Sequence, residues 1–126
     1  MGTWRDGEGR LGIGSGSGTT HEVALRTAAS YRARRRGLLG QDGVDGALLI
    51  TPCNSVHTFR MRFAIDVAYL DRKLNVLTVR TMVPGRLGLP RLRARHVLEA
   101  EAGAMEAWGL RPGVRVEIRP GAAVDG

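Results

Sequence analysis

The chain has 126 residues, 43% of them hydrophobic, and a net charge of +7. That length fits one domain able to bury about two-thirds of its unfolded surface without disulfide or metal staples. It holds no run of about 18 apolar residues to cross a membrane as a helix, and its single Cys53 excludes an internal disulfide and suits a reducing compartment.

The opening MGTWRDGEGRLGIG lacks the apolar core of a secretory signal, so a cytoplasmic location is expected. All but one of the 19 basic residues are Arg. Arg is a good phosphate ligand. Yet Arg, Ala and Gly share GC-rich codons, and compositional bias explains the charge more simply than a nucleic-acid partner.

Residues 1–20 are rich in Gly, Ser and Thr and read as a flexible arm, with a weak hairpin around Thr3–Ile13 turning at Asp6-Gly7. Residues 21–119 read as one β-rich domain, and 120–126 as a disordered tail. His21–Arg26 suits a short strand. Thr27 can cap a helix through AASYRARRR, which Gly37 stops, with Arg34, Arg35 and Arg36 favourably placed in its last turn. Gly46–Ile50 reads as a buried strand.

Val56–Leu70 alternates. Phe59, Met61, Phe63, Ile65, Val67 and Tyr69 fall on one face; Thr58, Arg60, Arg62, Ala64, Asp66 and Ala68 fall on the other. A long strand bent near Phe63-Ala64 is expected, its apolar face in the core. Asp71-Arg72-Lys73 turns the chain, and Asn75–Val83 returns antiparallel. Pro84–Arg93 is an irregular basic loop. Arg95–Ala100 reads as a strand, Ala104–Trp108 as a short helix stopped by Gly109, and Val114–Ile118 as a final strand after the Pro112-Gly113 turn. The expected fold is mainly β: a compact, mostly antiparallel barrel or sandwich of about six strands with two short helices.

Chemistry-bearing residues concentrate between Pro52 and Asp71. Thr51-Pro52 resembles a helix start, and one helical turn would put Cys53 and His57 on one side. With Asp66 or Asp71 orienting the imidazole, Cys53 would be a nucleophile and His57 its base. The ordinary alternative is a small buried Cys and a satisfied polar His. One Cys and three His cannot build a four-ligand structural zinc site, although His57 with carboxylates could hold a catalytic metal.

Arg62 and Asp66 share the polar face about 13 Å apart, too far to pair but able to flank a pocket. Arg62 could clamp a carboxylate or phosphate. Their ordinary alternative is an exposed face with cross-strand partners. The basic loop lacks the interleaved aromatics of a single-strand binder. Gly12-Ile13-Gly14 lacks the strand–helix setting of a dinucleotide fingerprint.

Four blocks resemble the domain of unknown function 192 family, over roughly Glu22–Ile118. AASYRARRRGLLGQ carries Arg34, Gly37, Leu38 and Leu39. PCNSVHTFRMRFAIDVAYLD carries His57, Thr58, Met61, Arg62 and Asp66. VLEAEAG carries Glu99 and Gly103, and GLRPGVRV is the fourth. Where the family often has Gly-Asp this chain has Gly113-Val114, and Ala64 stands where Pro or Thr is common. The resemblance implies a small β-rich domain and no assigned activity.

The expectation is therefore a binding module for a polar or anionic ligand or a peptide. Its pocket would draw on Arg34, Asn54, His57, Thr58, Arg62, Asp66 and Glu99. No cofactor is called for. A cysteine enzyme using Cys53, His57 and Asp66, and a basic nucleic-acid binder, are the alternatives.

Overall fold

The computed structural model describes residues 4–15 and 18–121. The elements follow as β1 (Gly7–Ser15), β2 (Gly18–Ala28), α1 (Tyr31–Arg36), β3 (Ala47–Ile50), β4 (Ile65–Leu70), β5 (Val76–Met82), β6 (His96–Glu101), α2 (Ala104–Ala107) and β7 (Val116–Pro120). The strands form one sheet in the order β5-β4-β6-β3-β2-β1-β7. Every pair is antiparallel except β2–β3. The fold is mainly β with two short helices, as expected. The sheet is not closed into a barrel. Its edge strands meet at one end, at an isolated bridge between Asn75 and Arg115.

Both faces of the sheet are covered, and strand alternation divides the core between them. One face carries Leu25, Leu49, Ala68, Leu70, Leu98 and Ala100, and packs against Met105 of α2 and Leu110. The other carries Leu48, Ile50, Ile65, Val67, Tyr69 and Val97. Leu38 after α1, Val56 and Ala94 close over that second face. We call these the α2 face and the loop face. Burial on both sides explains why β3 and β4 are buried at every position.

The flexible-arm reading of residues 1–20 is corrected wherever those residues are described. Gly7–Ser15 is a strand paired with both β2 and β7, and it buries Leu11 and Ile13. Asp6 makes no hairpin turn. Its carboxylate accepts from the amides of Ala29 and Ser30 at 2.6 and 2.8 Å, which holds its own pKa below the usual carboxylate range, the Ser30 hydroxyl contributing most. Thr3 and residues 122–126 lie outside the described residues. Pro120, placed in the tail by its sequence, ends β7.

The long strand over Val56–Leu70 is also corrected: only Ile65–Leu70 is strand. Upstream, the chain is pinned across the loop face instead of alongside a strand. Thr58 Oγ1 donates to Val83 O at 2.7 Å and accepts from Arg86 N at 2.8 Å, and Arg60 sits at φ 62°. Phe59, expected in the core, is 46% exposed. No helix starts at Thr51-Pro52, whose peptide bond is cis. Thr51 Oγ1 is engaged with His96 Nδ1 at 2.6 Å and caps nothing. Helix α1 is capped by Ser30, not Thr27, and stops at Gly37.

Candidate functional site

Glu99 lies in the middle strand of three. It pairs with Leu48 of β3 on one side and Val67 of β4 on the other. Its side chain therefore rises from the loop face among apolar neighbours, and the residue is 5% exposed. Burial alone pushes its carboxyl up from 4.5 to about 7. No hydrogen bond or ion pair to its carboxyl offsets that burial among the described residues.

Above Glu99 opens a cavity of about 130 Å³. Its walls include Arg34, Leu38, Cys53, His57 and Met61, with Glu99 among the lining groups. Three segments build it: α1 with its Gly37 stop, the irregular run after β3, and β6. Arg34 reaches over from α1, donating from Nη1 to Pro52 O at 3.2 Å. Its Nε is buried with no hydrogen-bond partner among the described residues. The cavity thus combines a buried carboxyl and a buried guanidinium N–H, neither engaged by another group among the described residues.

Cys53 is half-buried beside them. Its thiol donates to Ser55 O at 3.1 Å. Burial pushes the thiol up, Glu99 pushes the same way, and Arg34 pulls it down. Tyr69 is raised mainly by burial as well, and Arg91, whose guanidinium carbon lies 5.4 Å from the ring centroid, lowers it. Arg91 Nε is a second buried N–H with no hydrogen-bond partner among the described residues.

The expected site residues separate into two groups. Arg34, Cys53, His57 and Glu99 gather at the cavity. His57 stands at its exposed edge, stacked on Phe59 at 5.3 Å between ring centroids. The other four do not join them. Asn54 is exposed, and its carbonyl anchors Arg91 N at 2.8 Å. Thr58 is consumed in pinning Val83 and Arg86. Arg62 pairs with Asp42 at 3.1 Å on the surface, both side chains well exposed.

Asp66 is on the wrong face. Paired with Ala100, it points to the α2 side, where it accepts from Thr81 Oγ1, Gly103 N and Met105 N at 2.6, 2.9 and 3.1 Å. It fastens the turn into α2, where Gly103 adopts φ 91°, a conformation suited to glycine. Asp66 therefore cannot orient His57, and the Cys53–His57–Asp66 triad does not form. Among the described residues no group of three or more His, Cys, Asp or Glu could hold a metal.

Sequence patterning missed Arg91 and its contact with Tyr69. Tyr69 reads as core by alternation, and it is buried; only its hydroxyl hints at a polar neighbour. Arg91 is one of several arginines in a loop with no period to single it out.

The fold and cavity define a small mainly-β domain with a polar, part-enclosed pocket on the loop face. The chain belongs to the DUF192 family, described as "Uncharacterized ACR, COG1430", whose model matches residues 13–118. A UPF0127 protein of Pyrococcus horikoshii is 33% identical over 91 residues, covering 68% of this chain and 79% of the relative. One from Pyrococcus furiosus is 35% identical over 100 residues, covering 75% and 86%. These relatives are archaeal.

A Sinorhizobium meliloti structure described as a candidate transcription regulator superposes with TM-score 0.78 at 20% identity, covering 93% of this chain and 98% of that one. A Novosphingobium aromaticivorans protein of unknown function gives 0.74 at 19%, covering 86% and 83%. At those identities the likeness is one of fold. Among the described residues no helix is long and apolar enough to cross a membrane.

Proposed function

We propose that the domain is a binding module whose loop-face cavity holds a small anionic group, such as a carboxylate on a metabolite or peptide. The observation that carries this reading is Glu99: a buried carboxyl, pushed up to about 7 by burial, with no partner among the described residues. A buried ionisable group without a partner is costly, and its retention beside the unpartnered Nε of Arg34 is explained if a ligand supplies the missing acceptors. Protonated Glu99 donates one hydrogen bond to an anionic oxygen, and Arg34 Nε donates another. A cavity of about 130 Å³ suits one functional group of a ligand, with the remainder outside past His57.

The raised Cys53 thiol and the absent triad weigh against a cysteine enzyme. No interface on the described surface favours nucleic acid over another anion.

The test is an NMR titration of the full chain with sodium acetate, sodium phosphate and acetamide. An anion is expected to shift amides near Arg34, Cys53 and Glu99, more tightly at pH 6 than at pH 8, because binding takes up the Glu99 proton. Arg34→Ala should weaken it about tenfold or more. Shifts scattered over the surface, or anion binding that strengthens as pH rises, would overturn the reading.

A further inference from the structure

We propose that the loop between β5 and β6 docks this protein onto an anionic lipid surface, with Leu87, Leu89 and Leu92 entering the headgroup region. These leucines are 68%, 75% and 88% exposed. Such exposure marks projecting tips, not the walls of a groove that would grip a peptide. The loop that carries them is held stiffly. Gly85 N donates to Thr58 O at 2.8 Å, Gly88 N to Val56 O at 2.7 Å, and Arg91 N to Asn54 O at 2.8 Å. Leu87 itself bridges to His57. The apolar tips are thus presented by design of the backbone, and mobility does not account for their exposure.

Charge selects the kind of surface. From Arg72 to Leu98 the chain has seven Lys or Arg and no Asp or Glu. None of those seven takes part in an ion pair within 4.0 Å among the described residues. Arg86 and Arg93 flank the leucines, Arg93 close enough to Asp71 to lower its pKa slightly. Apolar tips interleaved with Arg match an interface where hydrocarbon lies under a layer of phosphate, and a bilayer needs no shape complement to receive them. The surface lies beside the Glu99 cavity but does not depend on it.

The experiment is co-sedimentation of the full chain with phosphatidylcholine vesicles, with and without about one-third phosphatidylglycerol. Binding is expected to the anionic vesicles only, at least about tenfold above the neutral ones, and to weaken between about 0.1 and 0.5 M salt. Leu89→Ser with Leu92→Ser, both at exposed positions, should reduce it about tenfold with unchanged circular dichroism. Arg86→Gln with Arg93→Gln should do the same. Absence of binding at low salt, or binding indifferent to the leucines, would overturn the proposal. So would capture of an oligo-glutamate peptide by these residues without vesicle binding, which would assign the surface to an acidic protein.

Discussion

Asp66 and Glu99 lie on adjacent hydrogen-bonded strands and point to opposite faces of the sheet. Val67, not Asp66, stands opposite Glu99, and Asp66 stands opposite Ala100. One residue of register therefore separates a structural carboxylate from a cavity carboxyl. Asp66 has three donors, from Thr81, Gly103 and Met105; burial alone acts on Glu99.

Glu99 makes stability fall as pH rises. Its folded pKa of about 7 lies above its ordinary 4.5, so the folded state binds that proton more tightly than the unfolded chain. The group's favourable contribution is complete below about pH 4.5 and lost through about pH 7. That shift corresponds to about 3 kcal/mol. Glu99→Gln, which cannot ionise, is expected to gain about that much over the wild type between pH 4.5 and pH 8. Urea unfolding across this range checks it; parallel profiles would show that Glu99 is not perturbed.

Asp66→Ala should strip the Gly103 and Met105 amides of their acceptor and destabilise the fold by about 3 kcal/mol. Because Asp66 faces away from the cavity, the acetate response of the folded variant should match that of the wild type. A lost response with intact stability would place Asp66 in the binding site after all.

The Cys53 thiol should be sluggish. Burial and Glu99 raise it, so alkylation by iodoacetamide at pH 8 should run slower than for a free thiol of pKa about 8.5. The rate should not change in His57→Ala, since His57 stacks on Phe59 at the exposed edge. A fast, His57-dependent reaction would restore the enzyme alternative.

Sequence patterning read the buried strands well, and its failures have physical causes. Gly46–Ile50 is legible as a short apolar run, whereas Ile65–Leu70 is legible only as the end of a longer alternation running from Val56. Met61 and Phe63 alternate like a strand, yet they pack partly buried on the loop face from a segment held by Thr58. Periodicity cannot distinguish that from a ladder. The glycines of β1 resemble linker composition, but Gly9 sits where a side chain would collide with the Arg119 carbonyl. Glycine there permits close strand packing and does not signal disorder. Within the candidate site, His57, Cys53, Arg34 and Glu99 were nameable in advance from residue type and family resemblance. That Arg62 and Asp66 leave the site depends on a surface partner, Asp42, and on strand register, which local sequence does not encode.

The central claim is that Glu99 is a buried carboxyl that no group among the described residues engages and that waits for an anionic ligand. Its side-chain carboxyl carbon can be followed by NMR through a pH titration, first alone and then in saturating acetate. A midpoint of about 7 that moves upward with acetate is the expected result. A midpoint near the ordinary 4.5, or one that acetate leaves in place, would contradict the claim.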